Sequence, residues 1–125
     1  MTNDGEPIGN KGNVLLEVTF NFALRTMEFV EKLEESKKYI IAKQLLRSGT
    51  SIGANAREAQ FAESKTDFIH KLKISEKEAD ETEYWLLLCK HSEHYPFDEN
   101  LLNELISIKR LLAKIITTSK HNLSK

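Results

Sequence analysis

The chain has 125 residues, 40% of them hydrophobic and 30% charged, the proportions of one folded domain with a single core. Its 18 lysines and arginines against 19 acidic residues leave a net charge of −1, which excludes bulk attraction to nucleic acid or anionic membranes and confines such binding to local patches. One cysteine, Cys89, excludes an internal disulfide; the start MTNDGEPIGNKGN has no signal-peptide pattern, and no run approaches the ~18 apolar residues of a membrane span, so the cytoplasm is expected.

Residues 1–12 carry Gly5, Pro7, Gly9 and Gly12 among polar residues, and this predicts a mobile tail. From about Val14 to Glu35, apolar residues return at helical spacing in two stripes. Leu16, Phe20, Ala23, Leu24, Met27 and Val30 form one; Leu15, Val18, Phe22, Phe29 and Leu33 project to nearly the opposite side. Asn13 and Thr19 are both candidate N-caps. After a polar connection around Ser36 and Lys37, a second helix is predicted from about Tyr39 to Phe61, with an apolar stripe of Ile41, Leu45, Ile52, Ala56 and Ala59. Gly49 and Gly53 lie inside it, each costing up to about 1 kcal/mol relative to alanine. Either they are simply tolerated or, at i, i+4, they mark a place where another backbone comes very close.

Ser64 followed by Asp67 resembles a capping box and starts a long third helix. Its main stripe is Phe68, Leu72, Ala79 and Leu86, with Ser75, Thr82 and Cys89 on the flank. Ile74, Trp85 and Leu88 lie on the far side, interleaved with Glu78 and Glu81. The turn HSEHYPF contains Pro96, Asp98 is an N-cap, and Phe97 with Leu102 suits a hydrophobic staple. Leu101, Leu105, Ile108, Leu112 and Ile115 then carry a fourth helix to about Thr118, after which SKHNLSK is expected to fray.

Four helices with short connections predict an all-α, up-down-up-down antiparallel bundle over residues 13–118. The first and third helices have apolar side chains on opposed faces, whereas a helix in a lone bundle has one side in water. Phe22, Phe29, Leu33, Ile74, Trp85 and Leu88 are therefore expected to form a homo-oligomer interface, each gaining ~1.5 to 3 kcal/mol from burial.

The second helix is unusual in its polar side chains. Gln44, Ser48, Ser51, Asn55 and Glu58 fall within an arc of roughly 80°, immediately beside the apolar stripe. Burying such groups without partners costs several kcal/mol at worst, so they need partners. In one reading they bond across helices or subunits, with Arg47 as donor and Glu58 and Glu81 as acceptors. In the other, the arc lines a groove or central opening that receives a partner.

Charge is uneven along the chain: residues 1–36 carry −4, 37–63 carry +3, 64–97 carry −2 and 98–125 carry +2. Lys37, Lys38, Lys43, Arg57, Lys109, Arg110 and Lys114 are candidate phosphate contacts, or else pair with the acidic first and third helices. Cys89, His91 and His94 are close in sequence but lack an evident fourth metal ligand. The acidic run Glu76, Glu78, Asp80, Glu81 and Glu83 lacks the Glu-x-x-His pattern of bundle di-metal sites, and no nucleophile sits with a base. Neither an enzyme nor a cofactor is expected.

The run Gln44, Arg47, Ser48, Thr50, Ser51, Ile52, Gly53, Asn55 and Glu58, followed by SKTDFIHKLKISEKEADETEYWLLL, resembles the bacterial four-helix-bundle proteins encoded by intervening sequences within large-subunit ribosomal RNA genes, often labelled ribosomal proteins. The same family includes the accessory variability determinant of diversity-generating retroelements, which partners a reverse transcriptase and its RNA. The resemblance covers about residues 13 to 118 and implies a barrel-like homopentamer. The chain departs from some members in having Ala59 after Glu58 where they carry glycine, and its near-zero charge differs from the basic retroelement branch. Two functions are thus expected as alternatives: a non-enzymatic pentameric scaffold or accessory for a protein such as a reverse transcriptase, or an RNA- or DNA-binding accessory using the basic second and fourth helices.

Overall fold

Polar side chains fix three of the four helix starts in the computed structural model, which describes residues 13–124; the expected tail over residues 1–12 lies outside them. Asn13 accepts from the Leu16 amide at 3.2 Å and opens α1 (Val14–Glu35). Ser64 accepts from the Asp67 amide at 3.0 Å and opens α3 (Lys65–His91), and Asp98 accepts from the Leu101 amide at 3.1 Å and opens α4 (Glu99–Ser124). Between α1 and α2 (Tyr39–Ala59) the chain reverses over three residues. Lys37 takes a left-handed conformation with φ 61°, its amide bonding Glu34 O at 2.9 Å while the Lys38 amide bonds Leu33 O at 2.8 Å. This is a Schellman C-cap with lysine where glycine is usual.

Each helix packs on its sequence neighbours and α4 closes on α1, while the backbones of α1 and α3, and of α2 and α4, stay apart on the diagonals. Cross-helix pairs show antiparallel neighbours: Gly49 and Gly53 of α2 lie against Thr26 and Thr19 of α1, and Ser48 and Ile52 reach Thr82 and Ser75 of α3. The result is an all-α four-helix bundle, with no strand among the described residues. None of its described helices is long and apolar enough to cross a membrane. α4 continues through Ser124, past the end expected near Thr118, because SKHNLSK contains neither glycine nor proline to break it.

The two glycines are where α1 comes closest. A Cβ on Gly49 would lie 2.8 Å from Thr26 Cγ2, and one on Gly53 would lie 3.3 Å from Thr19 Cβ and 3.4 Å from the Thr19 carbonyl oxygen. Both threonines are buried, and each donates its hydroxyl to its own helix, Thr19 to Leu15 O at 2.7 Å and Thr26 to Phe22 O at 2.9 Å. Their polar atoms are thus satisfied while Thr26 meets Gly49 through its methyl group and Thr19 meets Gly53 through its Cβ, hydroxyl and carbonyl.

This contact corrects the expected orientation of α1. Thr19 and Thr26 share an arc with Leu15, Phe22, Phe29 and Leu33, so docking the threonines on α2 turns that stripe into the bundle. Phe22, Phe29 and Leu33 are 0%, 3% and 0% exposed, core residues of the single chain, and not an oligomer interface. The other stripe divides: Leu16 and Val30 are buried, but Leu24 and Met27 are 46% and 50% exposed. In α3, Leu72, Ala79 and Leu86 face inward as expected, Phe68 is half-buried, and the flanking Ser75, Thr82 and Cys89 are buried with the stripe.

Alanine at Gly49 has no room beside the short, buried Thr26 side chain. Gly49→Ala is expected to lower stability by about 1–3 kcal/mol in urea unfolding, the range for overpacking, and Gly53→Ala, with a looser contact, by less. At Lys37 the sign reverses: Lys37→Gly removes the cost of a left-handed side chain and is expected to raise stability by about 1 kcal/mol in the same measurement.

Candidate functional site

The polar arc of α2 meets α3 at two depths. At the inner level, Ser48, Ser75 and Thr82 are fully buried. The Ser75 hydroxyl donates to the Ile52 carbonyl at 2.8 Å, and the Thr82 hydroxyl lies 2.9 Å from Ser48 Oγ and 2.7 Å from the Glu78 carbonyl. These bonds fix the α2–α3 register inside the core.

At the outer level, Arg47 spans the two helices. Its guanidinium donates to Glu78 at 3.2 Å and to Glu81, and Glu81 also accepts the Trp85 indole N–H at 3.1 Å. The hydrogen bond to Arg47 holds the Glu81 carboxyl below the usual glutamate range, and the same bond holds Arg47 above the usual arginine value. Both groups therefore stay charged through neutral pH, which suits recognition and anchoring better than proton transfer.

The rest of the arc is satisfied locally. Ser51 donates to its own helix at Arg47 O, 2.6 Å away, and Asn55 donates to Ser51 O at 2.8 Å. Glu58 pairs with Lys71 at 3.4 Å and stands apart from the Arg47 cluster, while Gln44 is half-buried with no hydrogen bond among the described residues. Of the expected network, the structure brings together Arg47 and Glu81, and it adds Glu78, Ser75 and Thr82. The last two carried a signal in the sequence: they lie seven residues apart, on the same flank of α3 as Cys89.

Three of the six expected interface residues face outward beside this seam. Ile74 and Trp85 are half-buried and Leu88 is exposed, with Tyr84 packed edge-on to Trp85 at 5.3 Å between ring centroids. A second outward apolar patch lies on the other side of α2, where Leu24 and Met27 of α1 and Leu46 of α2 are exposed. Phe20 and Ala23 share a shallow groove there with Thr50, Ala54 and Arg57.

The basic residues do not converge. α2 and α4 are diagonal in the bundle, so Lys37, Lys38, Lys43 and Arg57 are separated from Lys109, Arg110 and Lys114. Lys109 bonds Glu83 and, at 3.0 Å, Asp80; burial opposes its charge, but those bonds outweigh it and raise its pKa. The Lys38 ammonium sits over the Tyr95 ring at 4.7 Å. Lys43, Arg57, Arg110 and Lys114 are exposed. Cys89 is buried, its thiol pushed up to about 11 by that burial, and points away from the exposed His91 and His94.

The two levels of the seam differ in energy. Thr82→Val strands the Ser48 hydroxyl in the core and is expected to cost about 1–3 kcal/mol. Arg47→Ala cuts a solvent-screened pair and should cost less than about 1 kcal/mol; thermal unfolding of the two variants checks the order.

The family model described as 23S rRNA-intervening sequence protein matches residues 13–116. Among solved structures, the chain is similar to a protein of unknown function from the S23 ribosomal protein family of Bacteroides thetaiotaomicron VPI-5482, at 45% identity and a TM-score of 0.78, with 82% of this chain and 97% of that one covered. No curated protein matches the chain.

Proposed function

This chain belongs to the 23S rRNA-intervening sequence protein family, and from that premise we propose that it acts in the cytoplasm as a non-enzymatic, self-assembling scaffold that presents a repeated surface to a protein partner. The observation that carries the reading is the pair of outward apolar patches on either side of α2: Leu24, Met27 and Leu46 on one flank, Ile74, Trp85, Tyr84 and Leu88 on the other. Isolated surface leucines are ordinary, but grouped ones rimmed by charge mark association surfaces.

Two unlike patches on one chain favour a head-to-tail contact, in which one copy's first patch covers the next copy's second. Both patches lean toward α2, through the groove shared with Thr50 and Ala54 and through the Trp85–Glu81–Arg47 chain of bonds. Neighbours displaced toward the same side curve such a chain into a closed ring, with α2 inside and the polar α4 outside. Five subunits, the number implied by the family resemblance, are consistent with that curvature.

A nucleic-acid role draws support from Arg110 and Lys114, which project from α4 without an ion-pair partner among the described residues and would repeat around a ring. The dispersal of the other cations over diagonal helices and the engagement of Lys109 by Asp80 and Glu83 support it less.

Light scattering across micromolar concentrations is expected to give a multiple of the 14.4 kDa chain mass, and Leu24→Glu with Met27→Glu is expected to reduce it. A monomer at every concentration refutes the scaffold. Binding to a labelled RNA at low ionic strength, lost in an Arg110→Glu, Lys114→Glu variant, would favour the second reading instead.

A further inference from the structure

On the self-association proposed above, we infer that the groove between α1 and α2 of one copy receives Ile74 of the next, the two copies standing side by side with their helices pointing the same way. The groove, of about 90 Å³, is lined by Phe20, Ala23, Thr50, Gly53 and Ala54, with Arg57 at the end nearest the α2 C-terminus. Ile74 is a half-buried aliphatic side chain of α3, on the other flank of α2.

The argument is one of height. α1 and α3 run parallel, and both meet α2 at the same two levels. Thr19 of α1 and Ser75 of α3 lie at Gly53 and Ile52; Thr26 and Thr82 lie at Gly49 and Ser48. Rotation about a ring axis that runs along the helices leaves height unchanged, so residues that meet across the contact share a level. Phe20 lies one residue past Thr19 and Ile74 one before Ser75, which sets them within about 3 Å of one height at 1.5 Å per residue. Met27 and Trp85, one residue past Thr26 and three past Thr82, agree to about 3 Å as well.

The charges agree with this register. Arg57 and Glu58 are consecutive on α2, so they share a level, and they serve its opposite flanks: Arg57 borders the groove, and Glu58 reaches Lys71 of α3 at 3.4 Å. Both are exposed, and Arg57 takes no carboxylate among the described residues. With Ile74 seated, Arg57 of one copy meets Glu58 of the next. Between the two levels the α3 flank carries Glu78 and Glu81, both held by Arg47 of their own chain, and the facing flank presents Ala23, Leu24, Leu46 and Thr50, none of them charged. Because α1 and α3 are diagonal in the bundle, a copy cannot bring its own Ile74 to Phe20. Each copy offers one groove and one side chain to fill a groove, as a head-to-tail contact requires.

The test is cross-linking of the assembled protein with a short bis-maleimide, read on a denaturing gel. Phe20→Cys with Ile74→Cys in one chain is expected to give a ladder of two, three and more chains, because every copy then carries both sides of the contact. Either variant alone is expected to stay at the 14.4 kDa chain mass, since Cys89 is buried, and the two refolded together are expected to stop at two chains. A charge exchange reads the same contact with its apolar residues intact. Arg57→Glu should raise the concentration of half-assembly in light scattering at low salt by at least about fivefold, and adding Glu58→Arg should bring it back toward the starting value. Where the cysteine pair itself weakens assembly, the charge exchange decides. An oligomer that gives no ladder, that cross-links through either single variant alone, or whose dilution curve is unmoved by Arg57→Glu or not restored by the double exchange, overturns this contact while leaving self-association standing. A monomeric starting protein overturns both.

Discussion

Everything in this bundle follows from the approach of α1 to α2 at two glycines. Thr26 Cγ2 lies only 2.8 Å from where a Gly49 side chain would begin, so α2 has no room for a side chain at that point. The threonines can lie there because each returns its hydroxyl to its own helix, Thr26 then meeting Gly49 through its methyl group and Thr19 meeting Gly53 through its Cβ, hydroxyl and carbonyl. That contact fixes the rotation of α1. Rotation decides that Phe22, Phe29 and Leu33 are core and that Leu24 and Met27 are surface.

The α2–α3 seam applies a different rule. Small hydroxyl side chains are buried and bonded across or along the helices, while the long charged ones are kept at the rim. Desolvating Arg47 and two glutamates would cost far more than their attraction returns, whereas a serine and a threonine can be buried at little cost once bonded. Most of the polar arc of α2 is consequently used in holding the fold: Ser48 and Arg47 reach α3, and Ser51 and Asn55 close on their own helix. What α2 leaves for other molecules is its two apolar flanks, and these support the proposed assembly more directly than the polar arc does.

Charge has a similar division. Lys109, Arg47, Lys71 and Arg25 are each engaged with carboxylates of a neighbouring helix. The glutamates along the outer edge of α1 and the lysines at the start of α3 are not so engaged, and they sit on opposite corners of the bundle.

By itself, the sequence determined the four helices, the caps at Ser64 and Asp98 and the inward stripe of α3, because each depends on residues within a few turns; it left Asn13 and Thr19 as alternative caps and Glu58 and Glu81 as alternative acceptors for Arg47, and packing selected Asn13 and Glu81. It also signalled the close approach, through Gly49 and Gly53. Only the tertiary structure decided which of the two stripes of α1 faces inward. Both are apolar at helical spacing, so periodicity cannot rank them; the choice is made by steric fit of Thr19 and Thr26 on a different helix. The same holds for the basic residues, which the chain order groups on the second and fourth helices and which packing sends to opposite corners, since a ring of four helices separates alternate members.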